Sequence, residues 1–494
     1  MKTLRLIAVL LVFVMMIGVF GVSCNKNDDS TPPVNNVPND DKNYDENGYE
    51  LDDLPEDLDF KQDTITILHW KEGNCPEFGE KLTEETISNA VYTRNAYVES
   101  RLKVKLNFVP TEGNNKNMDA YIGKVRADIM SAVPEYDIFA SYSMCGASMA
   151  MEGYLYDLTN TPYMNFEKPW WPENLIDQAT IDDSLYFCSG DISTNTLYYM
   201  FVTFFNPTLI EENHLDDPYD LVENGKWTYD KMIEMTKGLY FDANHNRERD
   251  MEDHFGLTVI AAWSDSFFFA SGLSTIEQNN NGSLAVSDTW RSSKSHQLLT
   301  DLCNYFNTGD GFLHGSDSAG QRASFTNSRS LFTIDSAGTA KDYFSKSDVD
   351  FGVVPVPKYD EDQDKYYTTL GFTYSMYSIS SASQVKDEAS AVLEALASEA
   401  YRITTPAVFE IAFKYKYSDS ARNVPMWDII KNSISFDLGR IFTRPMKNTT
   451  YSLFRETLLN NEAGSWYHNY GEKEPIIYEC MDEIMAAFKD QKNP

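Results

Sequence analysis

The regular alternation of strand-like and helix-like segments from residue 63 onward constrains the fold of this chain most. Residues 64–68 form a short apolar run with β-branched side chains, which predicts a buried strand. A helical pattern begins at the capping residue Thr83 and is followed by an alternating strand over 104–109, a second helix, and a strand over 136–140. This β-α-β-α-β order predicts a parallel sheet covered by helices.

The predicted sheet also indicates where a ligand would bind. In open parallel sheets, ligands bind beyond the carboxyl ends of the strands. His69 and Trp70 follow the first predicted strand, and Ser141 and Tyr142 follow the third. We therefore expect Trp70 and Ser141 to contact a ligand.

The first 24 residues have the layout of a secretory signal. Lys2 and Arg5 precede an apolar run over 6–20, which ends in small residues directly before Cys24. This arrangement resembles the lipobox of bacterial lipoproteins, which implies that residues 1–23 are removed and that Cys24 is lipidated. An uncleaved membrane anchor is the alternative, because the apolar run is about long enough to span a bilayer. In both cases the positive flank places the rest of the chain outside the cell.

Residues 24–62 are predicted to form a disordered acidic tether. Asn, Asp, Pro and Ser dominate up to Asp41, and apolar periodicity is absent. Because most of its charges are negative, the segment should repel itself and hold the folded body away from the membrane.

Length and charge restrict the fold and the partners. A chain of 494 residues exceeds what one hydrophobic core usually holds, so we expect two lobes. The formal net charge of -34 argues against nucleic acid as a partner, because nucleic-acid binding needs a basic surface. Apart from Cys24, five cysteines stand at wide, unpatterned spacings, which predicts buried thiols rather than a disulfide framework or a zinc site.

The most motif-like segment is the loop over 242–253, whose oxygen-bearing side chains recur at alternating positions. Ca²⁺ needs about six to eight oxygen ligands, and this spacing would wrap them around one point. Arg247, however, stands where calcium loops of this type have Gly, and the last position is Asp instead of Glu. We predict a structural calcium site, with a polar surface loop as the alternative. The predicted ligands are Asp242, Asn244, Asn246, Glu248 through its backbone carbonyl, Asp250 and Asp253.

Aromatic and polar residues near other predicted strand ends are candidates for sugar contacts. Aromatic faces pack against the apolar face of a sugar ring, and carboxylates or amides bind its hydroxyls. The pair Trp170 and Trp171 lies between two prolines and is expected at the lip of a cleft. Arg322 could pair with a carboxylated ligand, although a lone arginine is more often structural. The predicted ligand-binding residues are Trp70, Ser141, Trp170, Trp171, Trp263, Asp265, Asp335, Ser336 and Phe372.

Five segments, in this order, resemble extracellular solute-binding proteins of ABC sugar importers, in the maltose-binding-protein-like group (family 1). The segments are 64–70, 152–159, 225–232, 350–358 and 404–410. The resemblance implies an α/β, two-lobed, periplasmic-binding-protein-like fold of type II. Each lobe would be a sheet flanked by helices, and a hinge would let the lobes close on ligand.

The resemblance also implies where the lobes begin and end. The N-terminal lobe would comprise residues 63–193 and 350–400, and the C-terminal lobe residues 194–349 and 401–494. Such a protein would be lipid-anchored on the outer face of the bacterial membrane. It would capture a carbohydrate, expected to be an oligosaccharide, and deliver it to permease subunits. We expect a monomer without an organic cofactor.

Motifs of catalysis are missing from the sequence. It contains neither a phosphate-binding G-x-x-x-x-G-K-[ST] loop nor an H-E-x-x-H zinc helix, and its seven histidines are scattered. We therefore predict no catalytic residue. A binding protein for peptides or another polar solute is the alternative function, and a surface glycan-degrading enzyme, which needs only two carboxylates, is a further one.

Overall fold

The computed structural model describes residues 43–71, 75–279, 281–416 and 420–492. The predicted signal over 1–23, the predicted lipidation site Cys24 and the first part of the predicted tether lie outside the described residues. Residues from Tyr49 onward form one compact unit. Within the described ranges, no helix combines the length and apolar character needed to span a membrane.

The strands of the described residues form two main sheets and one small hairpin. Numbered along the chain, they are β1 Asp63–Trp70, β2 Val104–Thr111, β3 Ile138–Tyr142, β4 Phe201–Phe205, β5 Phe255–Ile260, β6 Ile276–Gln278, β7 Leu284–Val286, β8 Gly311–His314, β9 Ser330–Ser336, β10 Gly352–Pro355 and β11 Ser375–Ile379.

Helices connect the strands and make up most of the C-terminal part. They are α1 Thr86–Leu102, α2 Met118–Ile129, α3 Ser143–Met151, α4 Glu173–Ala179, α5 Thr194–Tyr198, α6 Pro207–Glu212, α7 Pro218–Glu223, α8 Tyr229–Thr236, α9 Ala261–Ser264, α10 Ser266–Ala270, α11 Ser293–Asn307, α12 Ser318–Thr326, α13 Thr339–Asp342, α14 Lys386–Glu399, α15 Asn423–Asn432, α16 Leu438–Ile441, α17 Thr449–Leu459 and α18 Trp466–Lys492. Two π-helical segments, Ala400–Thr404 and Ala407–Lys416, follow α14, and short 3₁₀ turns lie at Leu158–Asn160, Phe344–Lys346 and Ala463–Ser465.

The first sheet has the strand order β11–β3–β1–β2 and confirms the predicted β-α-β-α-β unit. β1 pairs in parallel with both β2 and β3, and β11 pairs antiparallel with β3. β2 continues through Pro110 to Thr111, past its predicted end. This proline is tolerated because β2 is an edge strand, where a missing N–H breaks no ladder.

Two local predictions for the first sheet need correction. The first helix begins at Thr86 and not after Thr83, because the side chain of Glu85 caps it by accepting a hydrogen bond from the backbone N–H of Ile87. Trp70 and Ser141 lie within β1 and β3, respectively, and do not follow them.

The second sheet has the order β10–β4–β9–β5–β8. β5 pairs in parallel with β9 and β8, whereas β4 runs antiparallel to both β9 and β10. All six residues of β5 and all seven of β9 are buried, as expected for central strands covered by helices on both faces.

The boundaries between the sheets differ from those expected of the lobes. β10 pairs with β4 in the second sheet, so the chain returns to the first sheet between Pro355 and Ser375, and the boundary predicted at residue 350 lies too early. The last helix, α18, expected in the C-terminal lobe, contacts α17 and β7 and also reaches α3 beside the first sheet. Gln491 near its end donates a hydrogen bond to the carbonyl of Ala150 at 2.7 Å.

Residues 49–62, here called the N-terminal strap, are packed against the body of the protein. Asp52 accepts two hydrogen bonds from the Arg101 guanidinium at 2.6 and 2.7 Å, and its carboxylate is 1% exposed. Lys168 Nζ lies 2.9 Å from both Glu50 and Asp53. The prediction of a disordered tether is therefore wrong for the strap, because Glu50, Asp52 and Asp53 have specific basic partners on the body.

Most of the cysteines and tryptophans of the chain are buried in the core. The five cysteines Cys75, Cys145, Cys188, Cys303 and Cys480 are all buried and unpaired, as predicted. Seven of the eight tryptophans are buried as well, and Trp263 alone is partly exposed. Trp263 is thus the tryptophan best placed to meet a ligand.

Candidate ligand-binding site

Trp263 and Asp265 stand at the carboxyl end of the central strand β5. The strand ends at Ile260, and the short helix α9 follows at once and carries Trp263. Trp263 is partly exposed, whereas Asp265, directly after the helix, is 1% exposed. This is the position that the sequence predicted for both residues.

Asp265 is held by two arginines from the C-terminal part of the chain. Arg440 on α16 forms an ion pair with its Oδ2 atom, and Arg455 Nη2 on α17 lies 2.9 Å from its Oδ1 atom. Burial opposes ionisation of this carboxyl, but the positive charges of Arg455 and Arg440 outweigh burial and lower the pKa of Asp265. Asp265 is therefore a fixed carboxylate at neutral pH.

Two aromatic rings face the arginines. The guanidinium of Arg440 lies 4.2 Å from the centre of the Phe372 ring, and that of Arg455 lies 4.5 Å from the centre of the Tyr451 ring. The centres of the two rings are 5.4 Å apart. Trp263, Asp265, Phe372, Arg440, Tyr451 and Arg455 are called the Asp265 cluster below.

The Asp265 cluster also reaches the first sheet. The hydroxyl of Ser143, the first residue of α3, donates a hydrogen bond to the carbonyl of Phe372 at 2.5 Å. Ser143 follows β3 directly, so Phe372 lies beside the carboxyl end of the first sheet while Trp263 marks the carboxyl end of β5 in the second. Residues from both sheets therefore meet at the cluster, as ligand binding at strand ends requires.

A second ion pair, between Arg322 and Asp335, lies beside the Trp263 ring. Arg322 donates to both carboxylate oxygens of Asp335, at 2.7 and 3.0 Å, and its guanidinium lies 5.4 Å from Trp263 and 4.1 Å from Tyr343. Asp335 also accepts the backbone N–H of Ser336 at 2.6 Å. Asp335 was predicted as an acceptor for ligand, but it is fully buried and its oxygens already serve Arg322 and Ser336.

Four other predicted contact residues belong to the core. Trp70 is 1% exposed and donates its indole N–H to the hydroxyl of Ser375, and Ser141 is fully buried. Trp170 and Trp171 are 0% and 2% exposed, so they form no cleft lip. The sequence could not separate these residues from site residues, because large aromatic side chains fill cores far more often than clefts.

Sequence reasoning missed Arg440, Tyr451 and Arg455. A local signal existed for two of them: Tyr451 and Arg455 are four residues apart, which places them on one face of a helix. Nothing local to the sequence connects that helix to Asp265, which lies 190 residues away from Arg455.

Two cavities of the protein differ in whether they offer aromatic surfaces to a sugar. A cavity of about 700 Å³ is lined mainly by carboxylates, among them Asp220 of α7 and Asp230 and Glu234 of α8, and it offers no aromatic face to a sugar ring. A groove of about 260 Å³ approaches Arg440 from the side of Phe269, Tyr367 and Phe436. The aromatic surfaces therefore gather around the Asp265 cluster and the groove beside it.

The predicted calcium loop lies after α8, and its side-chain oxygens are largely occupied by its own backbone. Asp253 accepts the N–H of Ala243, and Asp242 accepts the N–H of Arg247, both at 3.1 Å. Among the described residues, no three His, Cys, Asp or Glu side chains are arranged to hold a metal ion. One oxygen of Asp242 is buried without a hydrogen-bond partner there, an atom that a cation would satisfy. Calcium binding stays a prediction.

Comparison with known proteins assigns the fold. No protein-family model and no curated protein matches the sequence. Solved structures do match, among them a cyclo/maltodextrin-binding protein in complex with maltotetraose, at 12% identity and a TM-score of 0.55 over 88% of this chain and 98% of that one. The chain has the two-lobed fold of the maltose-binding-protein-like solute-binding proteins.

Two further structures with this fold are similar to the chain over nearly their whole length. One is an ABC substrate-binding protein from Listeria monocytogenes in complex with cycloalternan, with 14% identity, a TM-score of 0.52, and coverage of 87% of this chain and 100% of that one. The other is a family 1 extracellular solute-binding protein from Bifidobacterium longum subsp. infantis, with 14% identity, a TM-score of 0.52, and coverage of 87% and 99%. These neighbours are binding proteins and not enzymes.

Proposed function

We propose that this protein is the extracellular receptor of an ABC importer and that it captures a carbohydrate at the Asp265 cluster. The observation that carries the proposal is the packing of Phe372 and Tyr451, both partly exposed, on the two arginines that Asp265 holds. Trp263, also partly exposed, directly follows Ala262, whose carbonyl accepts a hydrogen bond from Arg455. Aromatic faces would pack on the sugar ring, and the arginines would donate hydrogen bonds to its hydroxyls. Asp265 is 1% exposed and both its oxygens pair with the arginines, so it holds them in place and is not itself a ligand acceptor.

The solved structures with this fold support a carbohydrate as the ligand. Their complexes contain maltotetraose and cycloalternan, both oligosaccharides. Peptide capture would instead call for charged groups placed to receive free amino and carboxyl termini. Peptides are therefore the second ligand class to test.

The charges of the cluster favour binding over hydrolysis. A glycosidase needs one carboxyl that holds a proton near neutral pH and a second that acts as nucleophile or base. Asp265 and Asp335 are each paired with arginine, and the pKa of Asp265 is lowered. Neither is suited to protonate a leaving group.

Capture would work by closure of the two lobes on the ligand. A ligand shifts the open–closed equilibrium only as far as it binds the closed form more tightly, so it has to touch groups from both lobes. The site meets this requirement, because Phe372 is tied to Ser143 while Trp263 follows β5. The proposal includes lipidation of Cys24, a position on the outer face of the membrane, a monomeric state, and delivery of the intact sugar to a permease.

A thermal-shift screen tests the proposal. The purified protein would be heated with neutral oligosaccharides, acidic oligosaccharides and short peptides in turn. A ligand present at 100 times its dissociation constant should add about 2.7 kcal/mol to the free energy of unfolding. Stabilisation by a carbohydrate supports the proposal, and stabilisation by peptides alone would contradict it.

A further inference from the structure

The structure assigns a further role to Arg455: we propose that it is a specificity-determining residue that binds the carboxylate of an acidic sugar, so that the preferred ligand is a uronate-containing oligosaccharide. This inference rests on the proposed function, since it presumes that a carbohydrate binds at the Asp265 cluster.

The first reason is an excess of positive charge in a strongly acidic protein. Arg440 and Arg455 share the single carboxylate of Asp265. Other basic side chains in the described residues have several acidic partners. Arg422, for example, lies near the carboxylates of Asp217, Asp220 and Glu223. Within the described residues, no other carboxylate pairs with either arginine, so the two arginines together carry one positive charge without a counter-charge.

The second reason is that Arg455 has unused hydrogen-bond donors. Its Nη2 atom donates to the carbonyl of Ala262 at 3.2 Å and to Asp265 at 2.9 Å. Its Nε atom is buried without a partner in the described part of the chain, as are those of Arg249 and Arg329, and it is out of reach of a ligand. The donor left for a ligand is Nη1, since both hydrogen bonds of the guanidinium use Nη2. Arg440, in contrast, uses both terminal nitrogens, one on Asp265 and one on the carbonyl of Leu370. Arg440 positions Asp265, and Arg455 is the group left to meet a ligand.

The third reason is that the guanidinium of Arg455 is held in a defined plane. It packs on the Tyr451 ring at 4.5 Å, and its side chain is 18% exposed, so it is ordered yet reachable. A planar guanidinium held in this way matches the two oxygens of a carboxylate, which a neutral sugar lacks. The ring of Trp263, next to Ala262, would pack against the sugar that carries the carboxylate.

The test is a calorimetric titration of the purified full chain with two ligands of equal length and linkage geometry. These are an α-1,4-linked oligogalacturonate and its fully methyl-esterified form, which keeps the same sugar backbone but is neutral. We expect the oligogalacturonate to bind at least tenfold more tightly to the wild type, and R455M to lose most of that preference. R455K keeps the positive charge but loses the planar guanidinium. Its preference for the oligogalacturonate should lie between those of the wild type and R455M.

A matched control is R422M, because Arg422 also pairs with carboxylates and also packs on a tyrosine, Tyr219, at 4.7 Å. It should leave the preference unchanged. Unfolding curves of R455M and R455K show whether each variant is folded. If R455M does not fold, the preference measured with R455K decides the test.

The outcomes separate the two proposals. Tighter binding of the neutral oligosaccharide, or an oligogalacturonate preference that survives in both Arg455 variants, would overturn the role of Arg455 and leave the carbohydrate receptor intact. If neither ligand, nor any other carbohydrate, binds the wild type, both proposals fail.

Discussion

Arg440 and Asp265 form a buried ion pair between segments that lie 175 residues apart in the chain. Their side chains are 8% and 1% exposed. Asp265 follows β5, and Arg440 lies on α16, so the pair joins the second sheet to the C-terminal helices at the point where the aromatic rings gather. Removing one partner of such a pair leaves a buried charge without compensation.

The substitution D265N should therefore destabilise the protein by roughly 3–5 kcal/mol, because Arg440 and Arg455 lose their counter-charge. Denaturant unfolding monitored by tryptophan fluorescence measures the change. The matched control is D119N, which breaks the pair between Arg444 and an Asp119 side chain that is 90% exposed. It should cost less than about 1 kcal/mol. Equal losses in the two variants would mean that the Asp265 pair is not a buried one.

The aromatic rings of the cluster should contribute directly to carbohydrate affinity. In Y451A or W263A, a sugar ring loses a packing face worth about 1–2 kcal/mol, which corresponds to an affinity loss of roughly tenfold. Titration calorimetry with the best carbohydrate from the screen checks this. Y478A removes a tyrosine that is 51% exposed on α18 and should bind as the wild type does. Unchanged affinity in both site variants would place the ligand elsewhere.

The sequence predicted the first sheet because the signals for it are local. Alternating or continuous apolar residues mark β1, β2 and β3, and helical spacing marks α1 and α2, so no distant contact was needed. Trp263 and Asp265 were found for the same reason, since they follow a strand directly. Their partners Arg440 and Arg455 were not, because the tertiary fold alone brings α16 and α17 to β5.

The errors of the sequence reading have the same origin. The composition of the strap is that of a solvated segment, and the arginine that binds Asp52 lies 49 residues away. The local sequence around Trp170 and Trp171 does not distinguish residues that line a cleft from residues that fill a core. β10 has four residues, too few to reveal which of two sheets it joins.

The N-terminal strap should add to the stability of the folded body. A variant that lacks residues 1–62 loses the pair between Asp52 and Arg101, whereas one that lacks residues 1–48 keeps it. We expect the shorter protein to be less stable, because it loses the pair of Asp52 with Arg101 and the contacts of Lys168 with Glu50 and Asp53. Thermal and denaturant unfolding of the two proteins side by side measure the difference. Identical transitions would show that the strap is only a tether.

Glu394 on α14 should make stability depend on pH. Its carboxylate accepts hydrogen bonds from the indole N–H of Trp171 at 2.9 Å and the backbone N–H of Asn165 at 3.3 Å, and burial raises its pKa from 4.5 to about 8. The folded protein thus holds this proton to a higher pH than the unfolded chain does. The stabilising contribution is complete below about pH 4.5 and is lost as the pH rises to about 8.

Comparison with E394Q isolates the contribution of Glu394, because glutamine does not titrate. The pH-dependent contributions of the other titratable groups are the same in both proteins and cancel in the difference. Between about pH 5 and about pH 8, the wild type should lose up to about 1.4 kcal/mol per pH unit relative to E394Q. Urea unfolding of both proteins across this range checks the prediction. A difference that does not vary with pH would contradict it.

Calcium at the 242–253 loop is tested by chelation. If the loop binds the ion, a chelator lowers the melting temperature of the wild type and has no effect on D242A, because Asp242 would lose its role as a ligand. S283A, in the turn between β6 and β7, serves as a surface-loop control and should respond as the wild type does. A wild-type melting temperature that is the same with chelator and with added calcium would remove the predicted site.

Titration calorimetry combined with analysis of the recovered sugar tests the central claim most directly. The wild type should bind one oligosaccharide per chain with saturation, and the ligand released on denaturation should have the length and structure of the ligand that was added. The absence of binding to every neutral and acidic oligosaccharide, or the recovery of shortened products, would contradict the account.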